Sequence, residues 1–145
     1  DLSELVRQAV ADTVPYAISR GSEFELQADA PVMVEGDKVA LGVMVRNLAD
    51  NAVRYSPRHS RVELRVFSDA GVPTVQLDDA GPGIPEAERE RVFDRFYRRA
   101  SSSEAGTGLG LAIVRGVAAR HGATVSLGDS PLGGLRVVVR MAEKT

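Results

Sequence analysis

The longest regular stretch in the chain runs from Asp37 to Tyr55, where Leu41, Met44, Val45, Leu48 and Ala52 recur at steps of three, one, three and four. At about 100° per residue those positions form one apolar stripe, the mark of a long helix lying on a core. Such a stripe needs an apolar surface to cover. Strand patterns supply it: Val62, Leu64 and Val66 alternate with charged residues between Arg61 and Phe67, and Val72 to Leu77 follows across an Asp69-Ala70-Gly71 turn. Thr124 to Leu127 and Leu135 to Met141 read as two further strands, joined through Pro131 and the Gly133-Gly134 pair. Helices interspersed with mostly hairpin-connected strands predict an α+β fold, a two-layer sandwich.

The remaining elements complete the expectation. Leu2, Leu5, Val6, Ala9, Val10 and Thr13 predict a first helix to about Ala17, capped by Ser3 and with Pro15 near its end. Phe24 to Ala28 and Val32 to Glu35 read as a hairpin or two edge strands around Asp29 and Pro31. A short helix is expected over Glu86 to Phe93, a mobile loop over Arg95 to Thr107, and a helix over Gly108 to His121 closed by Gly122. With 145 residues, one domain is expected. The chain opens at Asp1 without an initiator Met, as expected of a piece cut from something longer.

Composition narrows the chemistry. There is no Cys, which excludes disulfides, thiolate zinc sites, iron–sulfur clusters and a Cys nucleophile. His59 and His121 lack the spacing of a zinc-binding helix. A net charge of −2 gives no overall pull toward nucleic acid, and no run of 18 apolar residues is present to span a bilayer.

Four segments carry more specific chemistry. In NLADNAVRY, Asn47, Asn51, Arg54 and Tyr55 share a strip beside the apolar stripe, so one helix can turn two amides, a guanidinium and a ring into one cleft. Amide oxygens suit a hard cation such as Mg²⁺, and arginine suits phosphate. A polar helix side facing water would give the same pattern. In LDDAGPGIP, Asp79 precedes Gly81 and Gly83 directly after a strand. A carboxylate accepts but does not donate, so Asp79 suits the exocyclic amine of adenine; a turn rich in breakers is the plainer reading. GTGLGL, Gly106 to Leu111, opens a helix, and unpaired N–H groups at such a point bind phosphate. It fits neither the Gly-x-Gly-x-x-Gly fingerprint nor a P-loop. Finally, Phe93 and Phe96 in VFDRFYRR stand three apart before the glycine-rich segment, a spacing that core packing also explains.

In this order the four segments resemble the N box, first glycine box, F box and second glycine box of the catalytic, ATP-binding domain of sensor histidine kinases. That superfamily includes DNA gyrase, heat-shock chaperones and mismatch-repair ATPases. The resemblance covers nearly the whole chain and implies a Bergerat-type fold, with a mixed sheet, helices on one face, and ATP between the long helix and a lid over Arg95 to Thr107. It implies Asn51 at Mg²⁺, Asp79 at adenine, Arg54 and Asn47 at the phosphate end, and Tyr55 packed near the base. Gly81, Gly83 and Ile84 fall in the first glycine box; Gly106, Thr107, Gly108, Leu109 and Gly110 fall in the second, with its glycines at the phosphates. Asn47 stands where ATP-hydrolysing relatives and anti-sigma-factor serine kinases place a Glu base, and an amide cannot take a proton. Ala80 departs from the Asn often found after the adenine-binding Asp. The resemblance further implies Mg-ATP as cofactor, a dimerisation and phosphoacceptor domain of the same kinase and a response regulator as partners, and a cytoplasmic position beneath an inner-membrane sensor. An anti-sigma factor or nucleotide-gated interaction module is the alternative reading of the same segments.

Overall fold

The computed structural model describes residues 1–28, 30–81, 87, 89 and 110–142. Helix α1 is Leu2–Ser19, strand β1 is Glu23–Gln27 and helix α2 is Lys38–Tyr55. Strands β2, Arg61–Asp69, and β3, Val72–Asp78, follow, then helix α3, Gly110–Arg120, and strands β4, Thr124–Asp129, and β5, Leu135–Arg140. The five strands lie in the order β1-β2-β3-β5-β4; β1 runs parallel to β2 and every other pairing is antiparallel. The sheet is therefore mixed, as expected. α2 is the crossover that makes β1 and β2 parallel, since strands pointing the same way need a long connection.

Register puts Leu26, Leu64, Leu77, Val137 and Leu127 in one row across the sheet and Val66, Val75, Val139 and Val125 in the next. These rows share one core with Val6 and Val10 of α1, Met44, Val45 and Leu48 of α2, and Val114 and Val117 of α3. The helices thus cover one sheet face. On the opposite face β3 carries Thr74, Gln76 and Asp78, all buried although polar. Asp78 is matched there by its cross-strand neighbour Arg136, whose Nε and Nη2 donate to the two carboxylate oxygens at 2.8 and 3.2 Å. Hydrogen bonding to Asp78 holds the Arg136 pKa above the ordinary arginine value against the opposing effect of burial.

Two expectations at the N-terminal end are corrected. Asp1, not Ser3, caps α1: its Oδ1 accepts from the Ser3 N–H at 2.9 Å, while the buried Ser3 hydroxyl donates to the Ala30 carbonyl at 2.7 Å. The helix ends at Ser19, two residues beyond the expected Ala17, with Pro15 near its end as expected. Val32 to Glu35 forms no strand, and there is no hairpin with β1. The backbone groups of that segment are committed elsewhere: the Leu2 N–H donates to the Val32 carbonyl at 2.7 Å, and the Val32 N–H donates to Asp1 Oδ1 at 3.1 Å. β1 is an edge strand, as one of the two expected arrangements had it.

The other boundaries follow from local chemistry. Asp37 caps α2 by accepting from the Val39 and Ala40 N–H groups at 2.9 and 3.2 Å. The β2–β3 turn places Ala70 at φ 51° and Gly71 at φ 84°, the two left-handed residues of a tight hairpin. α3 ends in a left-handed Gly122, with the Ala123 N–H returning to the Ala118 carbonyl at 2.8 Å. Apart from Ala87 and Arg89, the short helix expected over Glu86 to Phe93, with Phe93 and Phe96, and the loop over Arg95 to Thr107 lie outside the described residues.

Candidate functional site

The centre of the site is the end of β3, where the strand leaves the sheet beside β5. Asp79 is buried there, and its Oδ1 accepts from the Leu135 N–H at 2.9 Å and the Gly81 N–H at 3.0 Å. Its own N–H donates to the Leu135 carbonyl at 3.0 Å. Two backbone donors on one oxygen stabilise the charged form and fix the plane of the carboxylate. Space at this point is set by glycine: a Cβ on Gly134 would lie 2.1 Å from Asp79 Oδ1, and one on Gly81 would lie 2.3 Å from the Tyr55 carbonyl oxygen.

That second contact joins the loop to α2. Ser56 follows the last turn, and its Oγ accepts from the Ala80 N–H at 3.4 Å. The backbone of Ala80 thus makes a contact that its side chain cannot. From the other side the buried Arg20, just after α1, donates from Nη2 to the Ser56 carbonyl at 2.8 Å. A cation at the last carbonyls of a helix is favourable, so Arg20 clamps the end of α2 against which the Asp79 loop rests.

Along α2 the strip expected from the sequence is present, and helix geometry spreads it over two edges. Asn51 and Tyr55 are half-buried on the edge that leads to Gly81. Asn47 turns its amide back, Nδ2 donating to the Val43 carbonyl at 2.9 Å, and lines an open groove of about 370 Å³ between α1 and α2 with Tyr16, Arg46 and Asp50. Arg54 reaches that edge: its Nη2 donates to Asp50 Oδ2 at 2.9 Å, and its guanidinium carbon stands 5.4 Å from the centre of the Tyr16 ring. Burial disfavours the Arg54 charge, but the hydrogen bond and charge of Asp50 outweigh it and hold the pKa above the usual arginine value. The guanidinium is therefore a permanent cation.

Among the proposed site residues, Asp79, Gly81 and Tyr55 are thus brought together, and Asn51, Arg54 and Asn47 extend from them in successive turns of α2. Gly110 begins α3. Gly83, Ile84, Gly106, Thr107, Gly108 and Leu109 lie outside the described residues. The sequence reading missed Gly134 and the Leu135 backbone, which shape and hold Asp79, and Tyr16 and Asp50, which hold Arg54. The four-residue spacing of Asp50 and Arg54 was the available signal for one of these; periodicity gave none for Gly134 or Tyr16. His121 follows the last residue of α3. Its Nδ1–H donates to the Val117 carbonyl at 2.8 Å while its Nε2 accepts the Asp37 N–H at 3.0 Å, which ties the end of α3 to the cap of α2.

The fold is a mixed sheet covered by helices on one face, with a buried carboxylate at the end of β3 beside the C-terminal end of α2. Residues 36–145 match the family described as histidine kinase-, DNA gyrase B-, and HSP90-like ATPase. The sensor-type histidine kinase PrrB of Mycobacterium leprae is 43% identical over 143 residues, covering 98% of this chain and 31% of that protein. The swarming motility regulation sensor protein RssA of Serratia marcescens is 38% identical over 138 residues, 92% of this chain and 29% of its own length. This chain therefore spans less than a third of either relative. Among solved structures, the mycobacterial sensor histidine kinase MprB superposes with a TM-score of 0.87 at 36% identity, covering 97% of this chain and 95% of that one. The chain belongs to the histidine kinase-, DNA gyrase B- and HSP90-like ATPase family and is, within it, a catalytic ATP-binding domain of the sensor histidine kinase type.

Proposed function

We propose that this domain binds Mg-ATP with adenine at Asp79 and the phosphates along α2, and presents the γ-phosphate to a histidine on a separate dimerisation and phosphoacceptor domain. The phosphoryl group would pass from there to a response regulator. The observation that carries this reading is the Asp79 carboxylate, held by the Leu135 and Gly81 N–H groups beside Tyr55, with glycine at both close approaches.

The donor set fits the cofactor. Among the described residues no group of three or more His, Cys, Asp or Glu gathers to hold a metal ion. Mg²⁺ commonly takes only one or two protein ligands and completes its shell with phosphate oxygens and water, and the Asn51 amide oxygen supplies one such ligand. When bound, Mg-ATP supplies the transferable phosphoryl group, and the metal neutralises charge on it. This chain's part is positioning: Asp79 accepts from the adenine amine, Tyr55 packs near the base, and Arg54, permanently charged, holds phosphate oxygens. By resemblance to the family, Gly106, Thr107, Gly108, Leu109 and Gly110 of the second glycine box are assigned to the phosphates, and Gly83 and Ile84 of the first to the base. Asn47 cannot take a proton from water, which favours transfer to an imidazole over hydrolysis.

No helix among the described residues is long and apolar enough to cross a membrane. The resemblance to sensor kinases is what supports a cytoplasmic domain beneath an inner-membrane sensor. The test is incubation with labelled ATP, alone and with a separately made dimerisation and phosphoacceptor domain. Expected are Mg²⁺-dependent binding and negligible turnover alone, and labelling of the acceptor histidine when the second domain is added. Stable phosphorylation of His59 or His121, or rapid hydrolysis by this chain alone, overturns the reading.

A further inference from the structure

Arg54 is the one permanent cation of the α2 strip, yet a long arginine side chain has many rotamers and a phosphate contact needs one of them. Two groups narrow its choice. Asp50 lies one turn earlier on α2 and binds Nη2 at 2.9 Å, which draws the side chain back along the helix to the level of Asn47 and Asn51. Tyr16 comes from α1, across the groove, and its ring faces the guanidinium with 5.4 Å between the guanidinium carbon and the ring centre. That distance lies within the range of cation–π attraction.

Tyr16 stands outside residues 36–145, the stretch that carries the family match. It lines the same opening as Asn47 and Asp50, so one face of α1 contributes to the wall along which the phosphates are proposed to lie. We infer that Tyr16 is a positioning residue: its ring, with Asp50, holds the Arg54 guanidinium at the level of Asn47 and Asn51, ready for the terminal phosphates of ATP. This rests on the proposed reading of Arg54 as a phosphate contact. A single hydrogen bond to a carboxylate does not by itself fix the plane of a guanidinium, and the aromatic face adds a second restraint.

The inference predicts an effect that depends on phosphate number. Calorimetry of ATP and AMP binding to the wild-type chain, Tyr16→Leu, Tyr16→Phe, Arg54→Ala and the Tyr16→Leu/Arg54→Ala pair is the test. Tyr16→Leu should weaken ATP by about two- to fivefold and leave AMP unchanged. Tyr16→Phe, which keeps the ring face, should retain wild-type ATP affinity, and Tyr16→Leu should add nothing once Arg54 is alanine. If Tyr16→Leu weakens ATP and AMP equally, or still weakens ATP in the Arg54→Ala background, Tyr16 acts only through packing and the inference fails. If Arg54→Ala weakens ATP no more than AMP, the phosphate role of Arg54 itself is wrong. That outcome is read without any Tyr16 variant, and it removes the inference together with its premise.

Discussion

Replacing Gly134 by Ala isolates what the close packing around Asp79 contributes. Gly134 does not lie in the left-handed region, so alanine meets no backbone strain there, and the whole effect is steric. The new Cβ would sit 2.1 Å from Asp79 Oδ1, 2.5 Å from the Gly81 nitrogen and 2.6 Å from the Asp79 carbonyl oxygen. All three neighbours belong to one loop, so relief requires that loop to retreat by roughly 1 Å, a displacement of the overpacking kind. Such a shift stretches the bonds that Oδ1 accepts from Leu135 and Gly81, now 2.9 and 3.0 Å, beyond hydrogen-bond range. Overpacking costs about 1–3 kcal/mol and each hydrogen bond to a charged group contributes about 1.5–3 kcal/mol, so the loss is about 3–5 kcal/mol if the backbone partly relaxes. A domain toward the upper part of the usual range of about 5–15 kcal/mol stays mostly folded after that loss. Urea denaturation measures it, and titration calorimetry should show ATP binding weakened far more than tenfold. Gly133→Ala is the control: its φ of 100° strains an alanine, but nothing lies within 4 Å of the added Cβ. It should lose about 1–2 kcal/mol of stability and keep ATP affinity. Wild-type stability and ATP affinity in Gly134→Ala would refute the claim that this contact sets the geometry of Asp79.

Asp79→Asn should remain folded, because its carbonyl oxygen can accept the same two backbone N–H groups; its amino group then faces the adenine amine donor to donor. ATP affinity should fall by at least about tenfold, and calorimetry that finds it unchanged removes Asp79 from the base site. His121→Phe loses both ring hydrogen bonds and should destabilise by about 1 kcal/mol, with faster hydrogen exchange at the Asp37 N–H; unchanged exchange there contradicts the tie between α3 and α2. Arg136→Met leaves the buried Asp78 carboxylate without its arginine, a loss of about 2–3 kcal/mol. Because the Arg136 pKa is raised on folding, its stabilisation is fully present below the ordinary arginine value and disappears only as pH rises through the higher folded value. The gap between wild type and Arg136→Met in urea should therefore be the same at about pH 7 and pH 9, and a gap that closes over that interval rules the linkage out.

What could be read from the sequence was what short-range periodicity encodes. The stripe on α2 and the alternation in β2 each repeat within a few residues, so they located the helix, its polar strip and the sheet that covers it. Val32 to Glu35 shows where that information stops. Its composition suits a strand, but a strand needs a partner, and its backbone groups meet Asp1 and Leu2 instead of a neighbouring strand. Ser3 fails as a cap for the same reason: the side chain that satisfies the first turn is decided by which residue lies next to it in space, and Asp1 stands there. Pro15 sits inside α1 near its end, as expected, since a helix held by Val6, Val10 and Ala17 in the core tolerates the loss of one hydrogen bond.

The site divides along the same line. Asp79 announces itself because a carboxylate beside two spaced glycines after a strand is chemically unusual, and Asn51, Arg54 and Tyr55 because one helix carries them within little more than one turn. The residues that orient them do not, because each acts across a contact between segments far apart in sequence: Gly134 and Leu135 on Asp79, Arg20 on Ser56, Tyr16 on Arg54. Two of these come from α1 or its end, outside the stretch that matches the family. A helix placed mainly to cover hydrophobic surface thereby also acts on both ends of the candidate site. Arg20 steadies the loop at the proposed base end, and Tyr16 restrains the cation at the proposed phosphate end. The physical consequence is that substitutions on α1 should alter nucleotide recognition without touching any residue the four motifs contain, and should do so in two separable ways: through the base at Arg20, and through phosphate number at Tyr16.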